Sequence, residues 1–307
     1  MDRSVLLRAL CALFFPLLFS CPALAAEKPT VLVSIPPQKY FVERLAGDAA
    51  LCAVLVDKGG DPHTYEPTVS VMTQAAQAKL YFTIGLPFER QWLPRFQDLS
   101  PDMRVLVPAA SRLSQPESSL LEGSSGAGHD EHPEHDGHDG HEHSEDPHIW
   151  LSPAVMAEVV PELRDALIAI VPEAEETIRQ NGEVLLGEMA ALEKTVKALF
   201  AALPEDKRAF LTFHHAWGYY AQNFGLREAS VEYMGKEPGP RSMAAIIGLA
   251  REHGIRTIVV SPGTNRASAE AVANNIGGTL VEADLMAEDW PDNLLRLSKA
   301  LAESLGR

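Results

Sequence analysis

The feature that most restricts the fold is a regular alternation of short apolar runs with amphipathic stretches. Val31–Ile35, Leu51–Val56, Leu80–Ile84 and Val105–Val107 read as strands, and Pro37–Leu45, Ser70–Ala78 and Phe88–Phe96, which fall between them, read as helices. Such alternation implies a parallel sheet covered by helices on both faces. It repeats in the second half of the chain. Ala209–Phe213, Ala229–Tyr233, Thr257–Val260 and Thr279–Val281 read as strands, and Ala216–Asn223, Arg241–His253, Ser268–Asn275 and Asp292–Ser304 as helices. Between the halves, Ile178, Leu185, Leu192 and Leu199 recur every seven residues, with Met189, Val196 and Leu203 four residues after the last three. That stripe predicts one helix from Pro172 to about Leu203, roughly 48 Å long at about 1.5 Å per residue. The expected architecture is therefore α/β: two lobes, each a parallel sheet flanked by helices, joined by a spine helix. The expected boundaries are an N-terminal lobe over 26–171, a linking helix over 172–203 and a C-terminal lobe over 204–307.

The first 25 residues stand apart from this scheme. Arg3 and Arg8 flank the start of an apolar run from Ala9 to Phe19, and Ala23-Leu24-Ala25 supplies small residues around a cut before Ala26. This is the pattern of an export signal, too short for a comfortable membrane span. The expectation is a soluble periplasmic protein. Lipid attachment through Cys21 is the less favoured alternative, because Phe19 and Pro22 are poor neighbours for it. After cleavage only Cys52 remains, which excludes an internal disulfide framework and a cysteine metal cluster.

A formal charge of −16 argues against a nucleic acid or an anionic membrane as partner, since both require basic surface. A cation suits the balance better. From about 115 to 145 periodicity disappears and Ser, Gly, Glu, Asp and His dominate. Such a segment has too little apolar surface to offset the entropy of folding, so it is expected to be a disordered insert.

Directly behind the insert stands Asp146-Pro147-His148-Ile149-Trp150-Leu151-Ser152-Pro153, and it has an upstream counterpart in Asp61-Pro62-His63-Thr64-Tyr65-Glu66-Pro67. In each, a histidine follows Asp-Pro, an aromatic residue comes two positions later, and a proline stands near a helical pattern. Proline locks its own φ and pushes the preceding residue toward extended geometry, so each turn is a good mount for one aimed side chain. Two such mounts far apart in sequence point to two ligands converging on one site.

Six of the eleven histidines lie in the insert: His129, His132, His135, His138, His141 and His143. These would form weak auxiliary metal sites. His253 falls at a helix end, where it is expected to cap carbonyls. The remaining four are His63, His148 and the pair His214-His215, which closes the apolar strand Phe210–Phe213. Successive strand side chains point to opposite faces, so one of the pair should face the cleft. Ligands of open parallel sheets bind at the carboxyl ends of the strands, where all these loops fall. A fourth candidate, Asp284, ends the last strand. Imidazole nitrogen with carboxylate oxygen is a zinc donor set, and three nitrogens disfavour manganese.

Together these motifs resemble the periplasmic zinc-binding component of ABC importers, a branch of the metal-binding solute-binding proteins. The likeness runs from Asp61–Pro67 through the His/acid-rich insert, Asp146–Pro153 and Phe213-His214-His215-Ala216-Trp217-Gly218-Tyr219 to Asp284 before Ala287-Glu288-Asp289-Trp290. The resemblance implies one Zn2+ in the inter-lobe cleft, with the family's ligands falling on His63, His148, His214 and Asp284. It also implies a monomer, not an enzyme, that passes zinc to the membrane permease of an ABC transporter. In two places the chain departs from the family pattern: His215 follows the third histidine, and Leu285 stands where proline usually follows the aspartate. Water or another acid is the alternative fourth ligand. The competing readings are a metal-buffering or adhesin-type protein with the same site, and a zinc hydrolase using Glu66 as general base. Binding to neutral imidazoles implies an affinity that falls as pH drops through about 6.5.

Overall fold

The computed structural model describes residues 27–112, 146–231 and 239–307. The expected signal segment with Cys21, and His129, His132, His135, His138, His141 and His143 of the insert, lie outside the described residues.

The N-terminal half carries β1 (Thr30–Val33), α1 (Pro36–Ala46), β2 (Leu51–Val54), α2 (Val69–Gln77), β3 (Ala78–Phe82), α3 (Pro87–Leu99) and β4 (Arg104–Leu106). Its strands pair in parallel in the order β2-β1-β3-β4. Next come α4 (Pro153–Ile170) and the long α5 (Glu175–Ala201), and then the second half: β5 (Ala209–Thr212), α6 (Gly218–Phe224), β6 (Arg227–Ser230), α7 (Pro240–Glu252), β7 (Thr257–Val260), α8 (Arg266–Ile276), β8 (Thr279–Glu282) and α9 (Trp290–Leu305). The second sheet, β6-β5-β7-β8, is also parallel and repeats the strand order of the first. Two parallel sheets flanked by helices, with one long helix between, is the architecture expected from the alternation.

Local chemistry explains the element ends. Ser152 accepts the Val155 amide at 3.3 Å and Pro153 opens α4, the expected N-cap and first position. At the far end of α6, Gly225 takes φ +67°, a left-handed conformation that lets the chain turn into β6. The spine helix is shorter than its stripe implied. Pro172–Ala174 forms a 3-10 turn, and the α-helix proper is 27 residues, about 40 Å at 1.5 Å per residue.

Helix α5 packs against α1, α4 and α9. Its buried positions Ile178, Leu185, Met189, Val196 and Phe200 belong to one apolar core that runs without interruption from the first sheet to Phe210, Trp217, Tyr220 and Leu297 of the second half. A smaller cluster, including Leu211, Ile258, Ile246 and Val272, fills the other face of the second sheet.

The crevice between the carboxyl ends of β1 and β3 is where a doubly wound sheet ordinarily takes a ligand. Here the chain fills it with its own carboxylate. Glu89, buried at the start of α3, accepts the amides of Ile84, Gly85 and Leu86 and the hydroxyl of Ser34. Burial outweighs these bonds and pushes its carboxyl up to about 7.

The two halves are also joined by a reciprocal pair of indoles. Trp150 donates from Nε1 to the Leu285 carbonyl at 2.9 Å, and Trp290 donates from Nε1 to the Trp150 carbonyl at 2.7 Å. Trp290 packs on Phe41 and Tyr40 of α1, with ring centroids 4.9 and 5.8 Å away. Lys39 of α1 pairs with Glu288 alongside. Replacing Trp290 by Phe keeps most of the packing but strands a buried carbonyl. We expect a loss of about 1–3 kcal/mol and a melting temperature several degrees lower by calorimetry; an unchanged melting curve would show that the clasp contributes nothing.

Candidate metal centre

Each Asp-Pro-His mount folds as an Asx turn, in which the aspartate side chain accepts the amide two residues on. Asp61 Oδ1 accepts the His63 amide at 2.9 Å, and its Oδ2 accepts the Thr64 hydroxyl at 2.8 Å. Asp146 Oδ1 accepts the His148 amide at 3.0 Å. The same turn recurs at Asp284, whose Oδ1 accepts the Met286 amide at 2.9 Å, with Leu285 in place of the proline.

These turns bring His63 from the loop after β2 and His148 from the segment before α4 to the carboxyl end of β5, where His214 lies. One ring nitrogen of each lies within 4.8 Å of the others. His148 Nε2 and His214 Nε2 are 3.2 Å apart. Nitrogens bound to one tetrahedral zinc at about 2.0–2.1 Å stand about 3.3–3.4 Å from each other. The donor set and the closest spacing thus suit a shared ion.

His148 is 4% exposed and its orientation is fixed by Asp146, itself 1% exposed: the two side chains meet at 2.6 Å between Nδ1 and Oδ1. Burial would push the Asp146 carboxyl up, but the charge of His148 and its side-chain and backbone hydrogen bonds outweigh it and hold the group below its ordinary value. An ionised Asp146 only accepts, so Nδ1 donates and Nε2 turns its lone pair inward. Burial lowers His148, against the raising effect of Asp146. Burial, with the neighbouring imidazoles His148 and His214, lowers His63 to about 4. His63 and His214 are half-buried, so the centre is open on their side.

Of the predicted site residues, the fold brings together His63, His148 and His214. Asp284 is not among the side chains whose ligand atoms lie within 4.8 Å of one another, although its loop is tied to the His148 segment through the Trp150–Leu285 bond. His215 turns to Glu228, with Nδ1 3.5 Å from Oε2. His253 ends α7, its amide donating to Leu249 at 3.0 Å. Glu66 is solvent-exposed. Sequence reasoning did not find Glu228, or the orienting bond from Asp146. The available signal for the latter was the repeated Asp two residues before each histidine.

Among the described residues no helix is long and apolar enough to cross a membrane. Relatives include the zinc-binding lipoprotein AdcA of Streptococcus pneumoniae, 29% identical over 279 residues, which is 89% of this chain but 53% of AdcA, so the chain spans about half the length of that relative. The high-affinity zinc uptake system protein ZnuA of Bacillus subtilis is 27% identical over 82% of this chain and 76% of its own. A manganese-binding lipoprotein, MntA of Halalkalibacterium halodurans, also matches, at 24% identity over 82% of this chain and 75% of its own. Among solved structures, a zinc-bound ZnuA carrying a deletion of its residues 138–173 superposes with a TM-score of 0.78 at 28% identity, covering 92% of this chain and 99% of that one. The family model described as the periplasmic zinc-uptake complex component A, ZnuA, matches residues 31–305, and the chain belongs to that family.

Proposed function

We propose that this chain is a periplasmic solute-binding protein that captures Zn2+ on His63, His148 and His214 and delivers it to an ABC-type permease. The observation that carries the reading is the convergence of three imidazoles from three separate loops, one of them oriented by a buried carboxylate. The fourth position falls to Asp284, which keeps lone pairs beyond the one given to Met286, or to water. Histidine-bound zinc keeps its ligands through just such outer hydrogen bonds. Three nitrogens favour zinc over manganese, and copper or nickel would bind such a site at least as well in vitro, so supply and the permease select the cargo. Export and the permease partnership are inferred from the signal-like first 25 residues and from the family.

Metal analysis with competitive titration against a chromophoric chelator tests the site. His63→Ala, His148→Ala and His214→Ala should each weaken zinc by more than the roughly 10–100-fold that Asp146→Ala, an outer partner, should cost. Asp284→Ala separates a ligand from a bystander: a loss comparable to the histidine variants marks a ligand, and an unchanged affinity leaves the fourth position to water or another acid. Retention of tight zinc after loss of any of the three histidines would sink the assignment.

Zinc at about 100 times its Kd should stabilise the fold by about 2.7 kcal/mol and raise the melting temperature accordingly. A zinc-insensitive transition would refute capture by the folded state.

Proton linkage gives a further expectation for the metal-free protein. His63 and His148 have lowered folded values, so above their unfolded value of about 6.5 both states are neutral and neither residue affects stability. As pH falls below 6.5 the unfolded chain takes up protons first and stability drops, for His63 until pH reaches about 4. Chemical denaturation between pH 7.5 and 4 should show this decline, reduced in His63→Asn. Burial also moves proton competition at these two imidazoles below the 6.5 expected from free histidine.

A further inference from the structure

The pair His214-His215 lies on a bend at 213–215, just past the end of β5, where strand alternation no longer assigns side chains to faces. One buried side chain brackets this bend. Glu228 on β6, in register with Phe210, has no solvent exposure. Its Oε1 accepts the Thr212 hydroxyl at 2.9 Å on the entry side of the bend. On the exit side the same oxygen faces the amides of Ala216 and Trp217, each at 3.4 Å. Its Oε2 has no hydrogen-bond partner among the described residues and stands 3.5 Å from His215 Nδ1.

We propose that Glu228 is the positioning residue of the third metal ligand: it tethers the bend on both sides and draws His215 to itself, leaving His214 to face the ion. The inference rests on the three-imidazole reading of the site. A buried carboxylate is costly unless its acceptor capacity is used, and here every donor it receives belongs to the segment that carries the ligand. The pull on His215 has a second source. Asp146, whose Oδ2 also lacks a hydrogen-bond partner among the described residues, is near enough for its charge to act on both His215 and Glu228. His215 is therefore held among carboxylates, while His214 Nε2 stands 3.2 Å from His148 Nε2.

The test is titration of the full chain with Co2+, a spectroscopic stand-in whose visible bands report coordination geometry, alongside zinc affinity. Glu228→Gln keeps an acceptor oxygen for all three donors and should give a near-native spectrum. Glu228→Leu should alter the bands and weaken binding about tenfold or more, the scale of lost outer-shell support. In the Glu228→Leu background His214→Ala should cost less than in the native chain, because the released His215 can replace it, a non-additivity that general destabilisation would not produce. A native spectrum and affinity in Glu228→Leu, or strictly additive losses, would overturn the proposal. If Glu228→Leu does not fold, the single variants decide: His215→Ala should weaken binding far less than His214→Ala, and the reverse order overturns it. His63→Ala serves as the separate control, since tight binding without His63 would defeat the three-imidazole reading itself.

Discussion

The bond between the Asp146 carboxylate and His148 Nδ1 is the interaction on which the rest of the site depends. It fixes the tautomer of a buried imidazole, and with it the direction of the lone pair on Nε2. Without it the ring would be free to turn its N–H toward His214, and Nε2 would then have no lone pair to offer an ion. Burial reinforces the arrangement by disfavouring protonation of His63 and His148. Electron-rich nitrogens are thereby held close in a partly desolvated space. A divalent cation stabilises such a cluster far better than a proton does, because it can be shared by all three.

The scaffold makes that convergence possible by repetition. Both sheets use the same strand order, so each half presents its loops at the carboxyl ends of parallel strands. His63 follows β2, His214 follows β5 and Asp284 follows β8. The crevice of the first sheet, the usual seat for an anionic ligand, is sealed by Glu89 bonded to three amides. The three-imidazole cluster lies instead at the junction of the halves, where the Trp150–Trp290 pair locks the His148 segment to the Asp284 loop.

Much of this was legible in the residues. Each expected strand and helix has a counterpart, because period and turn chemistry agree along most of the chain. The two Asp-Pro-His mounts were readable because proline and an Asx turn act locally. What escaped was set by tertiary contact. The choice between His214 and His215 depends on a bend that ends strand alternation, and on a carboxylate from a neighbouring strand. Glu228 carried no periodic signal: it lies within Arg227-Glu228-Ala229-Ser230, just ahead of the expected strand start at Ala229. The α-helical spine begins three residues later than its stripe because Pro172 opens a 3-10 turn instead. The position of Asp284 depends on how one whole half sits against the other, which no local pattern encodes.

The unbroken apolar core around α5 bears on how long the ion dwells. Parting the halves like a jaw would expose Phe200, Tyr220 and their neighbours to water, a steep penalty for each turnover. The stretch Asp61–Pro67, by contrast, is partly exposed, is held by an Asx turn and bears the half-buried His63. If an ion sits on the three imidazoles, its release would then turn on withdrawal of His63 with this seven-residue stretch rather than on a hinge between the halves.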